Sequence, residues 1–172
     1  MSLYDRPLDL EAREIRLVRF QQDEATGSSG LQPTTLEMCI LSLNGSLCFS
    51  ALSYVWGDSA DTVSITVNRS TFAATKNLHA ALCHLSQADI EWIWIDALCI
   101  DMSNHPERTH QVSYMHAIYS LAHRVYLWLR TESFHTDVVM DYMAKSCTAS
   151  GLHKNSNSYL SFPLPCAPQT RD

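Results

Sequence analysis

Two aspartates, Asp58 and Asp96, follow apolar segments that have the composition of β-strands. Asp58 comes shortly after residues 51–56, and Asp96 closes the run Trp-Ile-Trp-Ile at residues 92–95, whose lack of alternation is typical of a strand buried on both faces of a parallel sheet. The carboxyl ends of parallel strands meet at one edge of an α/β sheet, where such sheets bind their ligands. The two carboxylates therefore indicate part of a ligand site, although a carboxylate that ends a strand can equally cap the loop after it.

Other reactive side chains lack the spacing that their chemistry needs. The chain has six cysteines and eight histidines, yet no two cysteines have the C-x-x-C spacing typical of zinc sites. No local arrangement of Ser, His and Asp, or of Cys and His, suggests a nucleophile with its base. Five glycines in 172 residues leave no glycine-rich phosphate loop. We therefore predict no metal site, assign no catalysis to the histidines, and interpret the cysteines as free thiols.

The composition is that of a folded domain. Hydrophobic residues make up 46% of the chain, charged residues 17%, and the formal net charge is −6. A surface that binds nucleic acid through phosphates needs clustered Lys and Arg, and the sequence has no such run. The first ten residues carry charges and no apolar signal segment, and no run of about 18 apolar residues occurs that could span a membrane. We expect a cytoplasmic protein that binds neither nucleic acid nor a membrane.

The first part of the chain, residues 1–48, is predicted to be a β-rich lead-in to the same domain. Strands are expected at residues 14–20 and 36–43, and Asn44-Gly45 is a strong hairpin-turn signal. Because Ile15 and Leu17 alternate with Arg16 and Val18, the first strand is predicted to be half exposed. A further short strand, at residues 63–67, is expected to turn at Asn68-Arg69.

Residues 49–146 are predicted to form the core of one α/β domain. After a strand from Ala51, the pattern predicts a helix over residues 75–86 with Thr75 as its N-cap, a strand over residues 92–96, a loop over residues 97–106, a helix started by Asn104, and a strand over residues 124–129. Helix, strand, helix, strand is the βαβ order of a mainly parallel sheet with flanking helices. The three strands from Ala51, Trp92 and Arg124 are expected to be adjacent.

Some side chains are expected to face the core of this sheet. In the second helix they recur at helical spacing and are Val112, Met115, Tyr119 and Ala122. In the strands, near-complete burial is expected for Trp94, Ile95, Val125 and Leu127. A third helix is predicted over residues 136–146, and residues 147–172, punctuated by prolines, are expected to be mostly irregular.

Three segments together resemble the fungal heterokaryon-incompatibility (HET) family. Residues 49–58, FSALSYVWGD, are similar to YxALSYxWGD of the family, with Phe49 in place of Tyr. Residues 94–100, WIDALCI, are similar to WIDALCINQ, and Thr75, Asn77 and Leu78 precede them at the positions of the family's TxNL. Residues 107–122 are similar to ERxxQVxxMxxIYxxA, and a VxxWL follows at residues 125–129. The resemblance extends from about residue 8 to about residue 130.

The chain departs from the family pattern in a few places. Asp101-Met102 stands where the family usually has Asn-Gln, and Arg130 stands where it usually has Gly. Nothing in residues 131–172 resembles the family's later RxWxxQE segment. This absence predicts a domain that is truncated and incomplete at its carboxyl end, so that the sheet would stop at its third core strand.

The resemblance implies a fold remotely like the TIR domain, which is flavodoxin-like, and a role in programmed cell death and self/non-self recognition. Some relatives in that superfamily hydrolyse NAD with a glutamate that follows the third strand, and by this alignment the missing Gln-Glu would lie there. Glu132 is the one nearby substitute, and its context does not match. The groups that would hold a ligand are Tyr54, Gly57, Asp58, Asp96 and Arg108.

Several motif residues are instead expected to be structural, namely Trp56, Trp94, Glu107, Gln111, Tyr119 and Trp128. Two functions remain open. In the first, the chain is a signalling and interaction module that binds protein partners, by self-association or through related domains, and has neither catalysis nor a cofactor. In the second, it cleaves NAD as a substrate. The lack of the Gln-Glu segment favours the first.

Overall fold

The computed structural model describes residues 3–21, 35–45 and 48–128, and the backbone of two short strands at residues 153–154 and 159–163. Nine strands and three helices follow one another along the described parts of the chain. They are β1 (Glu14–Phe20), β2 (Thr35–Ser42), β3 (Ser50–Tyr54), β4 (Thr62–Val67), β5 (Ser70–Thr75), α1 (Lys76–Leu85), β6 (Ile93–Trp94), α2 (Asp96–Cys99), α3 (His105–Leu121), β7 (Arg124–Trp128), β8 (His153–Lys154) and β9 (Tyr159–Pro163).

The described strands form one mixed sheet in the order β5-β4-β2-β1-β6-β3-β7-β9-β8. β3 lies between β6 and β7 and is parallel to both, so the predicted adjacency of these three strands is confirmed. The prediction of a mainly parallel sheet is wrong. Strand β1 is antiparallel to both of its neighbours, β4 is antiparallel to β5, and β7 is antiparallel to β9. A two-residue turn can join only antiparallel neighbours, which accounts for the pairing of β4 with β5.

The predicted hairpins occupy one side of the sheet, but one turn was assigned wrongly. Asn68 and Arg69 adopt φ of 49° and 66° between β4 and β5, as a two-residue hairpin turn requires. Asn44-Gly45 does form a turn, in which the Gly45 N–H bonds to the Ser42 carbonyl at 3.3 Å. It does not close a hairpin, because β2 pairs with β1 and β4 while β3 pairs with β6 and β7.

Strand β1 is buried on both faces, which corrects the prediction of a half-exposed strand. Ile15, Arg16, Leu17 and Val18 are all 2% exposed or less. The alternation of Arg16 with apolar residues led to a wrong prediction of exposure. Glu107 on α3 neutralises the Arg16 charge inside the protein.

Both longer helices begin at the predicted caps. The hydroxyl of Thr75 accepts a hydrogen bond from the Leu78 N–H at 3.2 Å, and the Asn104 side chain accepts one from the Glu107 N–H at 3.2 Å. The inward face predicted for α3 is wrong at Val112, which is 51% exposed. Polar Glu107 and Gln111 take part of the buried face instead, together with Ile118.

In β7 the side chains that face the core alternate with those that were predicted to face it. Tyr126 and Trp128 are buried, whereas Val125 and Leu127 are partly exposed. The Trp128 ring lies 5.0 Å from that of His84 on α1, so α1 covers this face of β7 and the alternate residues point the other way. Trp94 and Ile95 are buried as predicted.

Two other expectations differ from the structure. Asp96, predicted to end the strand, and residues 97–99, predicted to belong to a loop, form the single turn α2, in which the N–H groups of Leu98 and Cys99 bond to the Ile95 carbonyl. The sheet does not stop at β7, because β9 pairs with it over its full length. β8 and β9 lie within the predicted irregular tail, and a proline is tolerated at a strand end such as Pro163. The predicted helix at residues 136–146 lies outside the described residues.

Candidate functional site

The ends of β3 and β6 bring Trp56 and Asp96 together. These strands are adjacent and parallel, so the segments that leave their carboxyl ends lie side by side. The Trp56 indole N–H donates a hydrogen bond of 2.7 Å to Oδ2 of Asp96. The indole is nevertheless 46% exposed. The site is thus a surface tryptophan that is fixed by a carboxylate lying beneath it.

The Asp96 carboxyl is partly buried at the first position of α2. Burial raises its pKa above the ordinary value, because a charged carboxylate loses water there, and the hydrogen bonds from Trp56 and Ala97 oppose this rise. The Ala97 N–H donates to Oδ1 at 2.7 Å. Each carboxylate oxygen therefore already accepts one hydrogen bond from the protein.

Two tyrosines surround this carboxylate. Burial raises the pKa of Tyr54, and the charge of Asp96 raises it further. The same two causes raise the pKa of Tyr119 to about 12. The Tyr119 hydroxyl donates to the Leu52 carbonyl at 3.1 Å, and its ring lies edge-on to Trp94 at 5.5 Å. Both phenols stay protonated near neutral pH, so neither acts there as a general base.

The loop that carries Trp56 is held by Asn77. The Asn77 side-chain amide donates to the Val55 carbonyl at 2.5 Å, and its oxygen accepts from the Trp128 indole N–H at 2.9 Å. Gly57 has a φ of +80°, and a Cβ placed there would approach the Asn77 Cβ to 3.3 Å. A glycine thus permits both the left-handed turn and the close approach to α1.

Two of the predicted ligand-binding residues do not join this cluster. The exposed Asp58 side chain caps its own turn by accepting from the Ala60 N–H at 2.9 Å. Arg108, near the start of α3, contacts the His105 ring at 2.9 Å, and Arg108 is not among the groups that shift the pKa of Asp96. Glu132 lies outside the described residues. The structure therefore brings together Tyr54, Trp56 and Asp96, with Gly57 shaping the loop.

Glu107 and Gln111 fasten α3 to β1. Glu107 and Arg16 form a buried two-point ion pair with N···O distances of 2.5 and 3.1 Å, and the Asp101 N–H donates to the same carboxylate at 3.0 Å. The Gln111 amide donates to the Glu14 carbonyl at 3.0 Å. These contacts give both motif residues a structural part in the fold.

Sequence reasoning missed the roles of Arg16 and Asn77, and it expected a structural part for Trp56, which is 46% exposed in this site. Arg16 also bonds to the Cys99 and Arg6 carbonyls and lies 4.9 Å from the Tyr4 ring. An arginine between the apolar residues Ile15 and Leu17 of a strand was the available signal for a buried partner, because buried charges are paired. For Asn77 the signal was its place in the TxNL motif, which gave no indication of its two bonding partners.

Two kinds of feature are absent from the parts of the chain that the structure describes. No group of three or more His, Cys, Asp and Glu side chains is placed to hold a metal ion. None of the helices α1 to α3 is long and apolar enough to cross a membrane.

Comparison with known proteins places these motifs in one family. The model of the heterokaryon incompatibility protein (HET) family matches residues 49–162, more than half of the chain, and this match continues beyond residue 130, where the motifs quoted above end. The chain is 34% identical to heterokaryon incompatibility protein 6, OR allele, of Neurospora crassa, over a stretch that covers 56% of this chain and 16% of that protein. It thus spans a small part of the curated relative, and no solved structure matches it. The chain belongs to the heterokaryon incompatibility (HET) family.

Proposed function

We propose that this chain is a signalling and interaction module of heterokaryon incompatibility, which contributes to self/non-self recognition and programmed cell death without catalysis of its own. The family and the name of the Neurospora relative support the process. The relative is much longer than the matched stretch, so the proposal concerns the module and its contacts. The module acts in the cytoplasm through protein partners, which include related domains.

The observation that carries the non-catalytic part is the bonding of Asp96. Both of its oxygens accept hydrogen bonds from the protein, one from Trp56 and one from Ala97. These bonds hold an exposed indole in place, which is the arrangement of a recognition surface. The other candidate holding groups, Asp58 and Arg108, bond within their own segments.

A second candidate function is NAD cleavage by a TIR-like glycohydrolase. It is favoured by the place of Asp96, a partly buried carboxylate among aromatic side chains at the carboxyl ends of parallel strands. In this alternative, Tyr54 and Trp56 contact the nucleotide while Asp96 or Glu132 stabilises the ribose as nicotinamide leaves. NAD would then be the substrate.

Nicotinamide release separates the two functions. We expect the full chain, incubated with NAD at high protein concentration, to release no more nicotinamide than a heat-denatured sample does. Turnover that disappears in Glu132→Gln would contradict the proposal and identify a catalytic glutamate. Turnover that disappears in Asp96→Asn and persists in Glu132→Gln would assign the catalysis to Asp96.

A further inference from the structure

The loop after β3 presents two large apolar side chains to solvent. Val55 is 58% exposed and Trp56 is 46% exposed. Both are fixed, since Asn77 bonds to the Val55 carbonyl and Asp96 bonds to the Trp56 indole. Tryptophan is enriched among the hot spots of protein interfaces, and a side chain that is already held in place loses little conformational entropy when a partner binds it.

The charge beneath this tryptophan has no positive partner among the described residues. No ion pair between described residues involves Asp96, and its hydrogen-bond donors are the Trp56 indole and the Ala97 N–H. A partly buried carboxylate without a cation is costly. Each of its oxygens can accept a second hydrogen bond in addition to the one it has. A cation supplied by a partner would therefore be bound here.

The neighbouring side chains add negative charge to the same loop. Asp58 is exposed, and Asp61 is exposed and pairs with Lys76 at 2.8 Å. Because Lys76 offsets the charge of Asp61, the added negative charge near Trp56 comes from Asp58, in a chain whose formal net charge is −6. The complementary partner surface is basic.

We propose that Trp56 and Asp96 together bind an arginine side chain of a partner protein. The guanidinium plane stacks on the indole face, and one of its N–H groups donates to the Asp96 carboxylate. Arginine fits better than lysine, because a planar guanidinium stacks on an aromatic ring while it donates hydrogen bonds in its own plane. This inference rests on the proposed interaction function, whose partner chemistry it specifies.

Peptide binding to the isotope-labelled full chain tests this proposal. The probes are acetyl-Gly-Arg-Gly-amide and two analogues in which lysine or the neutral isostere citrulline replaces arginine. Binding is followed by the NMR shift of the Ala97 amide, which donates to Asp96 in every variant that keeps the carboxylate, and by calorimetry. We expect saturable binding of the arginine peptide, weaker binding of the lysine peptide, and none of the citrulline peptide.

Three variants and a control locate the binding. Trp56→Ala and Asp96→Asn should each weaken binding of the arginine peptide by about tenfold, from loss of the cation–π contact or of the charged acceptor. Trp56→Phe, which keeps an aromatic face, should stay within about threefold of the wild type. Asp89→Asn removes the same charge from an exposed position before β6 and should leave binding unchanged.

Several results would overturn the inference. Equal affinity for the citrulline peptide would exclude a charge-based site. Equal loss of binding in Trp56→Phe and Trp56→Ala would exclude stacking, and this comparison holds even if Asp96→Asn does not fold. NAD also carries a planar cationic ring, and its displacement of the peptide at lower concentration would assign the site to a nucleotide. Nicotinamide release tests the proposed function separately, so an absence of both peptide binding and turnover would refute only the arginine site.

Discussion

Arg16 and Glu107 form an ion pair with both side chains almost fully buried, 2% and 4% exposed. The pair joins β1 to α3, and the Glu107 carboxylate also receives the Asp101 N–H at 3.0 Å, which fixes the loop between α2 and α3. Loss of one partner leaves the other charge buried and unpaired. This ion pair therefore holds β1, the loop between α2 and α3, and α3 together.

Glu107→Ala should lower the free energy of unfolding by about 3–5 kcal/mol, because the Arg16 charge would then be buried alone. Urea denaturation measures the change. The matched control is the surface pair of Arg19 and Glu37, with side chains 46% and 37% exposed. Glu37→Ala should cost less than about 1 kcal/mol, since exposed ion pairs contribute little. Similar losses in both variants would show that the buried pair is not a special anchor.

Gly57→Ala should destabilise the protein by about 1–2 kcal/mol, because a left-handed φ is costly for a residue with a Cβ. The added Cβ would also press on Asn77 at 3.3 Å. Gly45→Ala is the control, since its Cβ would meet the Ser42 carbonyl oxygen at an ordinary 3.6 Å. Thermal unfolding of both variants checks the difference, and an equal shift in Tm would refute the role assigned to Gly57.

Asp96 should make the stability depend on pH. Its folded pKa lies above the ordinary value of 3.8, so the folded state binds the proton more tightly than the unfolded state does. The contribution of Asp96 is therefore most favourable below pH 3.8 and declines as the pH rises through the folded pKa. The free energy of unfolding of the wild type minus that of Asp96→Asn should fall across this window. A difference that rises with pH would mean that the carboxylate is stabilised as an anion.

The cysteines should differ strongly in reactivity. Burial raises the pKa of the Cys99 thiol to about 12 and also raises that of the half-buried Cys39, while Cys48 is exposed. Because the thiolate is the reactive form, iodoacetamide at pH 8 should, among these three cysteines, label Cys48 first, Cys39 slowly, and Cys99 after unfolding. Peptide mass spectrometry of timed samples gives the order. Early labelling of Cys99 in the folded protein would contradict its burial.

The sequence predicted those features that depend on local chemistry. Thr75 and Asn104 act as helix caps, and Ile93 and Trp94, within the predicted strand 92–96, form a buried central strand, because capping groups and apolar runs act over a few residues. Long-range pairing was not predictable in the same way. Nothing near Arg16 in the sequence indicates Glu107, which lies 91 residues away.

The difference between local and long-range features also explains which predictions failed for the buried face of β7 and for the candidate site. Residues 125–128, Val-Tyr-Leu-Trp, are apolar throughout, so periodicity could not decide which side chains face α1. The strand-end rule predicted that Asp96 lies at the edge where β3 also ends. It did not predict the bond to Trp56, which lies 40 residues away, because this contact depends on how the loop at Gly57 turns.

The most direct test of the central claim uses a filamentous fungus that expresses the chain from an inducible promoter. The measurement is the viability of the fungus after induction. The account predicts that the wild type lowers viability, that Trp56→Ala abolishes the effect at equal protein level, and that Glu132→Gln leaves it intact. Asp89→Asn controls for a change of charge alone. The account would be contradicted if Trp56→Ala remained as lethal as the wild type while Glu132→Gln restored viability, because killing would then depend on the candidate catalytic glutamate and not on the exposed tryptophan.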